Sequence, residues 1–229
     1  MRINNKLLYI LLLASLVATK PAKAQQRPVE KINDGIIVYP RTQLAGGVQM
    51  VKLQVVDEGI IRVVASPNQA FSSIESLITV YQPSTVQWQL VNGSDSVSIV
   101  TARLKATVSL LTGAVVYYNS MDQKILSEKE VGRSLTPAVF EGRRSYGIEQ
   151  AFETSADDAL YGLGQHQDDV YNYKNRQVFL FQNNTEVAVP FLVSAKNYGI
   201  LWDNYALTTV GDTRPFRELN ALQLFSKRG

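Results

Sequence analysis

Ser96–Asn119 reads SVSIVTARLKATVSLLTGAVVYYN, and its apolar side chains fall on every second residue. Leu104, Ala106, Val108 and Leu110 alternate with Lys105, Thr107 and Ser109. A period of two places alternate side chains on one face of an extended strand and leaves the others to solvent. Thr112-Gly113 breaks the run, and AVVYYN resumes it. The same grammar extends in both directions. Upstream, VQWQLV (Val86–Val91) alternates and leads into Asn92-Gly93, the dipeptide favoured in two-residue hairpin turns. Further upstream, Val51, Leu53 and Val55 alternate with Lys52 and Gln54, Asp57-Glu58-Gly59 offers a turn, and IIRVVA returns. Downstream, QVFLFQ, VAVPFLVS and YGILWDN continue the pattern. No window keeps a helical stripe past two turns outside the first residues; a short piece near Asn68–Leu77 is the best helical candidate. The chain is therefore expected to be all-β, two antiparallel sheets packed as a sandwich, with Trp88 in its core.

The N-terminus has a different grammar. Arg2 and Lys6 precede a 12-residue apolar run, Leu7–Ala18, and Ala22-Lys23-Ala24 fits the small-x-small cleavage rule. This is the pattern of a cleavable signal peptide, residues 1–24, with cleavage after Ala24 and a secreted or periplasmic destination. The run is shorter than the roughly 20 residues that span a bilayer, so no membrane anchor is expected. Arg2, Lys6, Lys20 and Lys23 would leave with the signal, so that 19 of the 23 Lys+Arg face 20 Asp+Glu. The sequence pI of about 9.0 then reflects targeting and gives no basic surface for nucleic acid. With no cysteine, the fold must hold by its core alone. Residues 25–35 read as a polar leader and 36–229 as the sandwich domain, incomplete at its C-terminus, where ELNALQLFSKRG looks like a strand and turn opening onto something more.

Chemistry-bearing residues are sparse. His166 is the one histidine, too few for a zinc site without cysteine, and no G-x-S-x-G elbow accompanies it. Asp157-Asp158 and Asp168-Asp169 invite a two-carboxylate glycosidase reading, but neighbours on a strand point to opposite faces. Both pairs are expected to be solvated turns. Gly162-Leu163-Gly164 begins like a dinucleotide fingerprint, yet Gln167 stands where its third glycine belongs. No cofactor and no metal is expected. The last third collects aromatics (Tyr171, Tyr173, Phe179, Phe181, Tyr198, Trp202, Tyr205) and amides (Asn172, Asn175, Gln182, Asn183, Asn184). That mixture suits sugars, although most of the aromatics are expected in the core.

The stretch LYGLGQHQDDVYNYKNRQVFLFQNNTEVAVPFLVSAKNYGILWDNY (160–205) resembles the N-terminal β-sandwich of glycoside hydrolase family 31, which holds α-glucosidases and α-xylosidases. The resemblance rests on Tyr161–Gln165, Asn184-Thr185, Pro190-Phe191 with Ser194, and Tyr198-Gly199 with Asp203-Asn204, in that order. It implies a galactose-mutarotase-like sandwich in front of a catalytic (β/α)8 barrel that performs retaining hydrolysis with two carboxylates. The family's nucleophile motif is missing here, and Trp202-Asp203-Asn204 matches the front domain instead. So the resemblance implies no catalytic residue in this chain. It implies a loop, Gln182, Asn183, Asn184 and Thr185, that lines the substrate pocket and contacts an α-linked glucoside or xyloside. It casts YGLGQHQ (161–167) as a tight turn packing the sandwich against the barrel. The other reading is a freestanding carbohydrate-binding or accessory β-sandwich. The two differ in what they predict for the surface: the first requires an exposed apolar face, the second does not.

Overall fold

The computed structural model describes residues 28–41, 47–80, 82, 85–167 and 169–211. The signal segment, Asp168 and the closing ELNALQLFSKRG lie outside the described residues. Within them every regular element is a strand and every pairing is antiparallel.

Strands β1 (Val29–Ile32), β2 (Gly35–Val38), β3 (Met50–Asp57) and β4 (Ile60–Ser66) form one sheet in sequence order. Pairing thus begins inside the stretch read as a leader. Strands β5 (Gln89–Asn92), β6 (Ser96–Val100), β7 (Leu104–Ser109), β8 (Val115–Asn119), β9 (Lys124–Phe140) and β10 (Arg143–Glu153) form a second, also in sequence order. The two sheets share one core. Ile36, Val38, Val51, Leu53 and Val55 from the first meet Val97, Ile99, Ala106, Val108 and Val115 from the second, and all are fully buried. Each such Val, Leu or Ile side chain contributes about 1.5–3 kcal/mol by leaving water, which is how a chain without disulfides holds this sandwich.

Two further small sheets correct the expectation of two. Strands β11 (Leu160–Gln165), β13 (Val187–Ser194) and β14 (Tyr198–Leu201) make a three-stranded sheet in the order β11-β13-β14. Strands β12 (Gln177–Leu180) and β15 (Thr208–Gly211) pair separately. Leu163, Val178 and Leu180 form a second, smaller core there, flanked by Tyr173, Ala188, Leu192 and Val210.

Three local expectations also change. Residues 68–77 form no helix, because serine hydroxyls take the amides a helix would use. Ser66 Oγ accepts from Asn68 N–H at 3.1 Å, Ser72 Oγ from Ile74 N–H at 3.2 Å and Ser76 Oγ from Thr79 N–H at 3.0 Å. The β5–β6 turn falls on Ser94-Asp95, two residues past Asn92-Gly93, since Asn92 pairs with Val97 and Gly93 N–H reaches Ser96 O at 2.8 Å. Burial of Val97 and Ile99 fixes that register. Trp88 is half-buried at the core's rim, with the Lys31 ammonium 4.8 Å from its ring centre.

Strand β9 carries an irregularity that matters below. Glu128 pairs with Phe152 and Arg133 with Gln150, so Lys129–Gly132 bulge out opposite Ala151. The bulge brings Glu128 and Arg133 together beneath it, joined as an ion pair with both side chains at most a tenth exposed. Beyond Arg133, β9 pairs with β10 alone, and the two form a hairpin arm, rooted on the core by Leu135 and closed by Glu141-Gly142. Both turn residues have positive φ, 47° and 76°, the signature of a type I′ hairpin turn.

Candidate functional site

Tyr161–Gln165 lies in strand β11 and not in a tight turn, and three residues of β13, Val189–Phe191, bulge opposite its Leu163. Gly162, Leu163 and Gly164 all have positive φ (98°, 63° and 98°), and the pairing with β13 slips between the two glycines. The slip turns Leu163 inward until it is 2% exposed between Val178 and Leu180. Both glycines lie against the backbone of β13. A Cβ on Gly162 would sit 2.4 Å from Phe191 O, and one on Gly164 1.9 Å from Val187 O. The sequence demands glycine twice for one reason: a residue must be spun into the core while its neighbours hug a strand.

The strand then hands over to the loop of interest. The His166 ring nitrogen Nε2 donates to Leu163 O at 2.9 Å, and its ring meets Tyr173 edge-on at 6.1 Å. Next to it the Gln167 side-chain amide donates to Thr185 Oγ1. Gln182, Asn183, Asn184 and Thr185 project into solvent from a tight turn. Glu186 N–H closes that turn on Asn183 O at 2.9 Å, and Asn184 sits at φ 47°, a conformation asparagine tolerates better than most residues. The structure therefore brings Gln167 to the four loop residues. The loop presents an exposed cluster of amides and one hydroxyl, able to donate and accept hydrogen bonds and carrying no ionisable group among residues 182–185. Among the described residues no three His, Asp or Glu side chains converge as metal ligands.

The aspartate pairs divide differently from the expectation. Asp157 is solvated, and Lys196 is its main partner; that hydrogen bond pulls its carboxyl down to about 2. Asp158 does close a turn, its N–H reaching Ser155 O at 3.2 Å, but its side chain is buried, 5% exposed, contrary to its reading as solvated. Its carboxylate accepts from Ser194 Oγ at 2.7 Å and Tyr198 OH at 3.0 Å. Ser194 and Tyr198 are cross-strand partners on β13 and β14. Burial raises the Tyr198 phenol above its ordinary value, and the Asp158 carboxylate adds to that. These are the serine and tyrosine of the motifs that carry the resemblance, so their task is to lock the segment leading into β11 onto this sheet. Sequence reasoning missed Asp158; the clue was its place just before the apolar Ala159-Leu160. Asp158→Ala would leave two hydroxyls facing no acceptor, and a loss of about 2–3 kcal/mol in urea unfolding is expected. A loss below about 0.5 kcal/mol, the scale of ordinary surface substitutions, would contradict the lock.

Asp203 is likewise engaged. Ser76 Oγ and Tyr205 OH each donate to its Oδ1 at 2.9 Å, and Arg62 of β4 lies 3.5 Å from Oδ2. It fastens the 67–80 segment to the end of β14.

One face of the three-stranded sheet is open and apolar. Val187, Val189, Phe191 and Val193 point outward along β13, with Tyr161 opposite Val193 and Leu201 opposite Phe191. All six are more than a third exposed. The Phe191 ring covers Gly199, where a Cβ would approach it to 2.8 Å. Phe179 and Phe181, beside the loop in sequence, are exposed as well.

Comparison with known proteins gives this arrangement a family. An α-xylosidase of Saccharolobus solfataricus is 44% identical over 75 residues, 29% of this chain and 10% of that protein. The crystal structure of a family 31 α-xylosidase from Xanthomonas citri superposes with a TM-score of 0.75 at 42% identity, covering 82% of this chain and 20% of that one. A family 31 α-xylosidase from a soil metagenome, solved with xylose, shares the fold at a TM-score of 0.65 and 24% identity, over 79% of this chain and 28% of its own. The chain thus spans less than a third of either solved enzyme. Residues 50–210 match the glycosyl hydrolase 31 N-terminal galactose mutarotase-like domain, and with that match covering more than two thirds of its length the chain belongs to this domain family.

Proposed function

We propose that this chain is the front domain of an exported, retaining α-glycosidase acting on α-linked xylosides or glucosides, and that its 182–185 loop lines the substrate pocket on the leaving-group side. The observation that carries the reading is the apolar face of β13. Six large apolar side chains in one stretch of sheet are more than a soluble module leaves open without a partner. A catalytic barrel seated there would cover Phe191 and Val193, and the loop at the other end of β13 would then project toward the barrel. A freestanding sugar-binding module has no use for such a face. The N-terminal pattern of residues 1–24 supports export, and an α-linked xyloside is the first substrate to try because both solved relatives above are α-xylosidases.

The direct test supplies the chain, residues 25–229, to the barrel portion of the Xanthomonas citri enzyme stripped of its own front domain. Recovery of α-xyloside hydrolysis is expected. No recovery, together with sugar binding by the isolated chain, would establish the freestanding module instead. In the reconstituted enzyme Asn184→Ala should raise KM about tenfold with little change in kcat. A hydrogen bond to the sugar made equally in ground and transition states is worth about 1–1.5 kcal/mol. An unchanged KM removes the loop from the pocket.

A further inference from the structure

We infer that the outer edge of the β9–β10 arm is a self-complementary docking edge, through which two copies of this chain pair as a four-stranded sheet, β9–β10–β10–β9, across a two-fold axis. Among the described residues no strand pairs with that edge of β10.

The backbone sets which groups are free. The two-residue turn makes Phe140–Arg143 a hydrogen-bonded pair, so Arg143, Ser145, Gly147 and Glu149 turn their backbone groups to β9. Arg144, Tyr146 and Ile148 turn theirs outward. Natural edges are blunted by proline, a bulge or charge; Arg143–Glu149 has no proline and no bulge, and its charges, Arg143, Arg144 and Glu149, are of both signs, so a second copy can match them. The bulge comes later, between Gln150 and Phe152.

Charge and the extent of regular pairing together select the register. An antiparallel pair of identical strands can place its axis at Tyr146, Gly147 or Ile148 and still match outward groups with outward groups. An axis at Gly147 opposes Arg143 to Ala151, and one at Ile148 opposes Arg143 to Glu153 but has to pair Arg144 with Phe152, beyond the point where the pairing with β9 shifts. An axis at Tyr146 opposes Arg143 to Glu149 of the other copy, and by symmetry does so twice. Opposite charges directly across a pair of strands are favourable, and like charges are not. The same register extends an apolar strip. Pro137 lies beside Tyr146 and Val139 beside Arg144 on one face of the arm, while Leu135, beside Ile148 at its base, packs against the main core. Tyr146, Ile148 and Val139 are 39%, 48% and 72% exposed, and the second copy would continue their strip across the axis.

Sedimentation of residues 25–229 is expected to show a dimer. R143E and E149R should each weaken it about tenfold, since each replaces two attractions with two repulsions, and the double variant R143E/E149R should restore it. The chain has no cysteine, so Y146C offers an independent readout. At the axis two Cα atoms come within about 5.5 Å, inside disulfide range, and mild oxidation should link the copies, while S94C at the far turn should not. A monomer at every concentration overturns the inference. So does a dimer indifferent to R143E, which would be pairing elsewhere, or equal cross-linking of Y146C and S94C.

Discussion

Arg133→Met should destabilise the protein by about 3–5 kcal/mol at neutral pH, the scale expected when one partner of a buried ion pair is removed. Arg133 holds Glu128, donates from Nε to Gln150 Oε1 at 2.8 Å and from Nη1 to Gly113 O at 3.1 Å, and so ties β9, β10 and the turn between β7 and β8 together. Glu128 in turn accepts from Val115 N–H at 3.0 Å. Burial pushes the Glu128 carboxyl above its ordinary range, against the pull of Arg133 and of that amide. Its folded pKa thus exceeds its unfolded value of about 4.3. Stability linked to this group is fully present below about pH 4.3 and is lost as pH rises through the folded pKa. Without Arg133 that folded pKa climbs further, and the lossy range widens toward neutrality. The deficit of the variant against wild type should therefore be largest at neutral pH and shrink in acid. Urea unfolding at both pH values checks it, and an equal deficit at both would contradict the account. Glu128→Gln in the Arg133→Met background should recover most of the loss.

Gly164→Ala should remove about 3–4 kcal/mol, whereas Gly142→Ala should remove only about 1–2 kcal/mol. Both glycines have positive φ, 98° and 76°, so both substitutions meet backbone strain. At Gly142 a Cβ meets nothing within 4 Å. At Gly164 it falls 1.9 Å from Val187 O and 2.8 Å from Val189 N, and a backbone cannot move aside as a side chain can. Relief requires β11 to leave β13, which withdraws Leu163 from its small core and frees Gln167 from Thr185. The midpoints of denaturant unfolding for the two variants separate strain from collision. Similar midpoints would mean that β11 and β13 yield easily.

The main sandwich was legible because its strands are half-buried. In β7 the alternation of apolar and polar residues is the burial pattern itself, in β3 it holds except that Gln54 is buried with its apolar neighbours, and Glu58-Gly59 turned where the sequence said it would. What escaped reading lies where one signal serves two purposes. Gly162 and Gly164 announce positive φ, which marks a turn and a bulged strand alike, and only Leu163 between them distinguishes the two. The β9 bulge hides in SEKEVGR, charged enough to pass for a surface loop, although Glu128 and Arg133 are buried together. Alternation in β13 revealed a strand but not that its apolar side faces outward. The family resemblance supplied the Asn184-Thr185 loop; its grip by Gln167 depends on an approach across 18 residues that no local pattern encodes.

Strand order also prescribes a timetable. From β1 to β4, and again from β5 to β10, every strand pairs with the one just before it, so each pairing closes a loop of modest length and can form as soon as its residues are available. The last two sheets are interleaved: β12 lies in sequence between β11 and its partner β13, and waits for β15 beyond β14. Neither can close until nearly all of the chain has arrived. The 182–185 loop sits inside that interleaved stretch, so the element read here as meeting the substrate should be the last to assume its shape, on a platform already folded beneath it.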